Sequence, residues 1–380
     1  MNFNPLNIKT KPLSERISKS NIKEIAVNPD SKPPELKNLN NIQLIKNLAQ
    51  QIKQARKNNK PVIITFGAHL IKNGLSPIII KLIQQNLITH LATNGAGSIH
   101  DWEFAYQGKT EEDVRYYAQQ GQFGLWNETG KYINQAIIQG ANNNLGYGES
   151  IGKMIQKEEL TINNTDNLTS NNLGKNTDQK RERSLNVSNF KDINKLQNSL
   201  AKASYEADVN NNKKIKIPHP FKNYSIQATA YEHQIPFTVH PCLGQDIIHI
   251  SPYCNFQAIG KTAQIDFNKF INSILNLEQG VYISIGSAIM SPMIFEKALS
   301  VAKNIAHQQN KQITNFTIII NDIQDSGNWD WKTSQDPPKT SPAYYLRFCK
   351  TFHRMGSKEM HYIQEDNRAF LQNLYNELTK

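Results

Sequence analysis

The sequence predicts an α/β protein with a Rossmann-like, doubly wound and mostly parallel sheet. Three features carry that prediction. Short β-branched runs alternate with segments whose apolar residues recur at helical spacing. Residues 61–103 show the alternation most regularly, as strand, helix, strand, glycine turn and helix. The predicted strands end repeatedly in small or turn-forming residues: Gly67, Asn94 with Gly95, Pro241 to Gly244, Gly286, and Asn321 with Asp322.

Residues 1–40 are polar and carry Pro5, Pro12, Pro29, Pro33 and Pro34, which predicts an extended N-terminal arm. Residues 41–57 place Ile42, Leu44, Ile45, Leu48 and Ile52 on a helical repeat. The run 61–66 reads as a buried strand, 76–86 as a helix, and 88–93 as a second strand. A turn over 94–97 follows, with Ser98 as predicted N-cap of a helix to Gln107. Helices are predicted at 110–119 and 129–139, started by Thr110 with Asp113 and by Thr129, and a short one at 146–152. Residues 158–190 are rich in Asn, Thr, Ser and charge. They hold too little apolar surface to offset ordering entropy, so a low-complexity, disordered insertion is expected. One α/β domain is thus expected over 41–157 and 191–380. Its second part reads as helices at 191–207 and 225–233, a strand at 236–239, an apolar stretch at 247–250, and a helix at 267–277. A strand at 281–285, a small-residue turn, a helix at 292–305 with Pro292 in its first turn, and a strand at 316–320 follow. A polar loop over 324–342 and helices at 343–353 and 367–378 close the chain.

Composition narrows the function classes. The net charge is +11, but the lysines are scattered and no Arg/aromatic module occurs, so a solvated basic surface is expected and no nucleic-acid partner. The three cysteines, Cys242, Cys254 and Cys349, are too few and too scattered for a disulfide framework, which fits a reducing compartment. The N-terminal residues lack the apolar core of a signal peptide, and no run of 18 apolar residues occurs. A cytoplasmic protein without a membrane partner is the expectation.

In an open parallel sheet, ligands bind beyond the carboxyl ends of the strands. The turn Thr93, Asn94, Gly95, Ala96, Gly97 offers backbone N–H groups to a phosphate or ribose, with a helix N-terminus behind it. It is not a strict GxGxxG, and a tight βα turn without ligand has the same composition. His100, Asp101 and Glu103 open the next helix, and His69, His240, Asp246 and His249 also lie near strand ends. These types suit acid–base chemistry or substrate contact, and equally a polar loop satisfying its own backbone. No spacing among them matches a metal signature, so no metal is assigned. Asp322 and Asp325 suit ribose hydroxyls, an amine, or a turn; Trp329 and Trp331 suit a pocket wall or loop packing.

The segment VIITFGAHLIKNGLSPIIIKLIQQNLITHLATNGAG resembles the early part of deoxyhypusine synthase. SIQATAYEHQIPFTVHPCLGQDIIHIS, GVYISIGSAIMSPMIFEKAL and FTIIINDIQDSG resemble later segments of that family, in the same order. The resemblance implies a homotetrameric, NAD-dependent transferase that oxidises spermidine and passes an aminobutyl group through an imine on a lysine. It places Thr93, Asn94, Gly95 and Ala96 on the family's NAD-contacting turn, and Asp246 on the acidic residue of its Leu-Gly-Asp turn. Asn321 and Gln324 fall on its Asn and Gln after the next strand, with Asp322 beside them. The sequence departs from the family where the chemistry lies. Ser291 stands at the lysine position and cannot form the imine. Lys297 lies about a turn and a half farther along the helix. Gln234, Ala68 with His69, and Ile99 to Asp101 replace other family residues. The expectation is a divergent enzyme acting on a small polar or amine substrate with an NAD site. The alternatives are a non-catalytic nucleotide-binding or regulatory protein, and the aminobutyl transferase that Ser291 disfavours. A homo-oligomer, as a tetramer, is expected. His100, Asp101, Glu103, His240, Asp246 and His249 are the expected catalytic group.

Overall fold

A computed structural model describes residues 3–163, 212–333 and 335–380. The chain begins with β1 (Ser18–Asn21), the single turn α1 (Ile22–Ile25) and α2 (Asn40–Lys57). β2 (Val62–Phe66), α3 (His69–Lys72), α4 (Ser76–Gln84), β3 (His90–Thr93) and α5 (Gly95–Gln107) follow. Next come β4 (Lys109–Glu112), α6 (Val114–Gln119), α7 (Asn127–Asn142) and α8 (Tyr147–Lys157), then the antiparallel pair β5 (Glu159–Asn163) and β6 (Asn212–Lys216). The remainder is α9 (Ile226–Glu232), β7 (Phe237–Val239), α10 (Phe256–Leu275), β8 (Val281–Ile285), α11 (Met290–Gln308), β9 (Thr317–Asp322), α12 (Arg347–His353), β10 (Glu359–Gln364) and α13 (Asn367–Thr379).

The central sheet has six strands in the order β10-β9-β8-β2-β3-β7, every pair parallel. Counted along the chain, this is the 3-2-1-4-5-6 arrangement of the doubly wound fold, with the strand order reversing between β2 and β8. β2, β3, β7 and β8 are buried at every position, which explains their mostly apolar sequences; the polar residues among them, such as Thr65, His90 and Thr238, are hydrogen-bonded. The register sets Phe66 beside Thr93 and Ile285, and Thr93 beside Val239, so the carboxyl ends share one edge. One core packs α2, α4, α5, α7, α8 and α13 around Ile64, Phe66 and Leu91. The other packs α10, α11 and α12 around Ile63, Tyr282 and Ile318. Each fully buried Ile or Phe in these cores contributes roughly 1.5–3 kcal/mol.

The predicted α/β class and parallel sheet are present. Several local expectations are corrected. The helix expected over 110–119 is split, because Lys109–Glu112 pairs antiparallel with β1. Asp113 then caps α6 by accepting from the Tyr116 N–H. Asn94, not Ser98, caps α5; its side chain accepts from the Gly97 N–H at 2.9 Å, while the Ser98 hydroxyl is turned to Gln227. The helix expected from 267 starts at Phe256, where Asn255 caps it, and the edge strand β10 was not expected. The helix expected at 191–207 lies outside the described residues, as do all but the first few residues of the expected insertion.

The polar N-terminal stretch has little regular structure but is docked. Leu13 and Ile22 are buried, the Leu13 N–H donates to Glu128 Oε2, and β1 lies along β4.

Candidate functional site

The head of α5 lies just past the carboxyl end of β3, close against the β7–α10 loop. A Cβ on Gly95 would come within 2.0 Å of Asp246 Oδ2, and one on Gly97 within 2.1 Å of Thr93 Oγ1. A side chain at either position would have to push its neighbour aside, and the Asp246 carboxylate rests against the first turn of α5. Beside it opens a cavity of about 640 Å³ whose lining includes Lys72, Ala96, His100, Glu111 and Asp246.

His100 faces this cavity with a buried support behind it. Arg16 reaches in from the N-terminal segment and donates from both guanidinium ends to Glu103, at 2.7 and 2.8 Å. Thr129 Oγ1 donates to Glu103 Oε1 at 3.0 Å, and Thr110 Oγ1 donates to Oε2. Burial opposes ionisation of Glu103, but Arg16 and these donors outweigh it and hold the carboxyl below its ordinary range. The Thr110 hydroxyl has spent its proton on Glu103, so it accepts from His100 Nδ1, 2.7 Å away. That fixes the tautomer: Nδ1 carries the hydrogen and Nε2 keeps its lone pair. Burial pushes the ring down to about 4, against the opposing pull of Glu103, so it is neutral at ordinary pH.

Asp246 is the second ionisable group of the cavity. Burial pushes it up to about 6, and its buried Oδ2 has no hydrogen-bond partner among the described residues. His249 Nδ1 accepts from the Gly244 and Asp246 N–H groups, each at 3.2 Å. Its Nε2 therefore carries the hydrogen, unpartnered, 3.9 Å from Asp246 Oδ2. At the rim, Lys72 pairs with Glu111 at 3.3 Å. Glu111 also accepts from Ser20 and has a left-handed φ of 68°. The Ser20 and Lys72 contacts outweigh burial and hold Glu111 below its ordinary range.

The structure thus brings together His100, Glu103, Asp246 and His249 of the expected catalytic group. Asp101 is not with them. It is fully buried on another face of α5, where it accepts from the Ser225 hydroxyl, the Ile226 and Gln227 N–H groups and the Gln227 side chain. Its work is to anchor the head of α9. His240 lies past β7 in a separate cluster with Thr238 and His90. Among the expected cofactor residues, Thr93 donates to Phe66 O, Asn94 caps α5, and Gly95 and Ala96 form its first turn. Asn321 is buried and donates to Ile363 O and Glu365 O, and Asp322 caps its own turn. Both are structural at those atoms. His69 and Gln324 are exposed. Trp331 is buried and Trp329 half-buried, and both pack the loop against the second core rather than the cavity wall. Ser291 is fully buried, its hydroxyl 2.6 Å from Thr65 Oγ1 and 2.9 Å from the Tyr282 hydroxyl.

Arg16, Lys72, Thr110 and Glu111 were missing from the expected site. Only the adjacent carboxylates Glu111 and Glu112 left a trace in the sequence; Arg16 sits in a proline-rich stretch with no local pattern. Among the described residues, no group of three His, Cys, Asp or Glu is placed to hold a metal, and no helix is long and apolar enough to cross a membrane. A larger cavity, about 960 Å³, lies at the amino ends of the strands and includes Thr89, Lys269 and Ser273 in its wall.

Strand order and site together define a doubly wound α/β protein with a polar cleft at the carboxyl edge of its sheet. No protein-family model and no curated protein matches the sequence. Solved structures with related chain traces include a conserved LOR/SDH protein from Methanococcus maripaludis S2, at 13% identity and TM-score 0.44, covering 92% of this chain and 70% of that one. ArgZ, an arginine dihydrolase from the ornithine-ammonia cycle in cyanobacteria, aligns at 12% identity and TM-score 0.41, over 88% of this chain. AgrE, in its ternary complex with ornithine and NAD+, aligns at 12% identity and TM-score 0.43, over 91%. This chain spans about a third of the length of ArgZ and AgrE, 32% and 34%.

Proposed function

We propose that the chain is a divergent, deoxyhypusine synthase-like enzyme that acts on a small polar or amine-bearing substrate in the cavity beside α5, with NAD as cofactor. The observation that carries the proposal is His100. It lines the cavity with Nδ1 held by Thr110, which Glu103 and Arg16 fix in turn, so Nε2 is the ring nitrogen left for a ligand. A ring held in one tautomer and kept neutral by burial offers Nε2 as a hydrogen-bond acceptor to a ligand N–H or O–H; with its value near 4 it is a weak base, so it takes that proton only as the reaction makes the donor acidic. Asp246, with its unpartnered Oδ2, offers a carboxylate to a substrate ammonium or hydroxyl. The Lys72–Glu111 pair adds both signs of charge at the rim, which suits a small zwitterionic or amine ligand.

NAD is supported by the strand order, which reverses between β2 and β8, and by the small residues Gly67, Ala68, Gly286 and Ser287 at that crevice. A Cβ on Gly67 would come within 2.2 Å of Gly286 O, so the crevice is lined by bare backbone there. When bound, NAD supplies a hydride acceptor for a carbon that bears nitrogen or oxygen. The chain lacks the three-glycine fingerprint, and β3 runs into Asn94 where an acidic residue usually holds the ribose, so its contacts differ from the common pattern. The lysine-dependent transfer is not retained, because Ser291 has no amine and is sealed in a hydroxyl cluster. A cytoplasmic homotetramer completes the proposal; exposed Leu243, Phe256, Ile289 and Ile323 offer apolar surface for association.

The test is calorimetric titration with NAD+, followed by NADH formation against a panel of diamines and amino acids. His100→Gln should lower turnover on the active compound about 10²–10⁴-fold while leaving its affinity within about threefold. Turnover unaffected by the substitution would refute the role of His100. NAD binding with no turnover on any compound would favour the non-catalytic alternative.

A further inference from the structure

His90 is the first residue of β3 and is fully buried. Its Nδ1 lies 2.8 Å from Ser273 Oγ, and its Nε2 lies 3.0 Å from Thr238 Oγ1. The same threonine oxygen lies 3.0 Å from His240 Nε2. The Phe270 ring sits 5.4 Å from each imidazole, edge-on to both. Ser273 is in the wall of the amino-edge cavity, and His240 follows the carboxyl end of β7. A four-member hydrogen-bonded chain therefore runs along the sheet from one edge to the other.

We propose that Ser273, His90, Thr238 and His240 form a charge-neutral proton relay, through which His240 exchanges a proton with a ligand at the carboxyl edge. A threonine hydroxyl has one proton, so Thr238 donates to one imidazole and accepts from the other. Two arrangements satisfy every contact. In the first, Ser273 donates to His90 Nδ1, His90 Nε2–H donates to Thr238, Thr238 donates to His240 Nε2, and His240 Nδ1 carries a hydrogen. In the second, His240 Nε2–H donates to Thr238, Thr238 donates to His90 Nε2, and His90 Nδ1–H donates to Ser273, leaving a lone pair on His240 Nδ1. Passing from the first to the second releases one proton at His240 Nδ1. Ser273 gives its proton to His90 and takes one from water in the amino-edge cavity, so no relay atom is left charged: the ligand gains the proton that the water loses, and the resulting hydroxide is neutralised by bulk solvent through that cavity. His240 Nδ1 has no partner among the described residues that would hold either arrangement. Burial pushes both His90 and His240 down to about 3, with the rings and Lys269 opposing further charge at His90, so transfer through a charged ring is disfavoured and tautomer exchange is not.

The relay uses none of the residues around the α5 cavity, so it stands or falls apart from the function proposed there. Nitrogen-15 spectra of histidine-labelled, full-length protein at neutral pH test it directly. Both rings should be neutral, each with Nδ1 and Nε2 shifts averaged between the two tautomers. Thr238→Val should collapse each ring to a single tautomer, and Ser273→Ala should shift the average at both rings together. Single fixed tautomers in the unsubstituted protein would overturn the relay, as would a charged ring, or averaging that survives Thr238→Val unchanged. Should a variant fail to fold, the spectra of the unsubstituted protein still decide between an exchanging relay and fixed rings.

Discussion

Replacing Arg16 with Met isolates the Arg16–Glu103 pair, because the new side chain keeps much of the buried bulk and removes the charge. Both partner side chains are only 1% exposed, so the Glu103 carboxylate would lose two of its four donors and its sole counter-ion within contact distance. Breaking a buried pair by deleting one partner costs about 3–5 kcal/mol. The pH dependence separates this from a packing defect. In the unsubstituted protein Glu103 titrates below its ordinary value, so its stabilisation is present above the unfolded value and fades as pH falls through the folded one. In Arg16→Met, burial acts without the guanidinium and the folded value rises. The sign then reverses: Glu103 costs little when protonated, and stability falls as pH rises through that higher value. The deficit should be near its full size at about pH 8 and clearly smaller at about pH 5. Urea unfolding followed by tryptophan fluorescence measures it, since Trp126 lies under the guanidinium. A deficit below about 1 kcal/mol, or one equal at both pH values, would show that the pair does not brace Glu103 behind the His100 ring.

Binding of a cationic amine should weaken as pH falls through about 6, where Asp246 gains its proton; Asp246→Asn should flatten that profile and lower affinity about tenfold or more in titration calorimetry. Gly95→Ala should displace the Asp246 carboxylate and weaken the same ligand, read by the same titration; unchanged affinity would mean that the carboxylate does not bind it. Asp101→Ala should cost about 3 kcal/mol or more in chemical denaturation by unpairing four donors around α9, and His100 tautomer spectra should be unaltered. Ser291→Lys should destabilise by about 3 kcal/mol or more without creating an imine-forming amine, as judged by borohydride trapping with an aldehyde.

The central sheet was legible in the sequence because β2, β3, β7 and β8 are buried on both faces and read as short, mostly apolar and β-branched runs. Their carboxyl-edge turns were legible through the small residues that close approach demands, as at Gly95 against Asp246. β1 and β4 were not, because Ser18–Asn21 and Lys109–Glu112 are polar strands made by pairing across a long stretch of chain. The edge strand β10, which buries only Met360 and Ile363 and so lacks a period-two pattern, was hidden for a related reason. For the site, residue type pointed to His100 and Asp246 but gave Asp101 the same weight. Neighbours on one helix point to different faces, and only the packing of α9 separates anchor from cavity wall. Arg16 was out of reach because its partner lies 87 residues away.

Arg16 also fixes an order of events. It leaves the ribosome long before Glu103, Thr110 and Thr129 exist, so the leading segment must wait as an unsatisfied tether until α5, β4 and α7 have formed. Docking of that segment then completes a chain of contacts from Arg16 through Glu103 and Thr110 to the rear of His100, so loosening the segment relaxes the ring without entering the cleft. Amide exchange at Ile17 and Ile22, which donate to the Tyr117 hydroxyl and to Gly108 O, should therefore rise in step with the rotational freedom of His100.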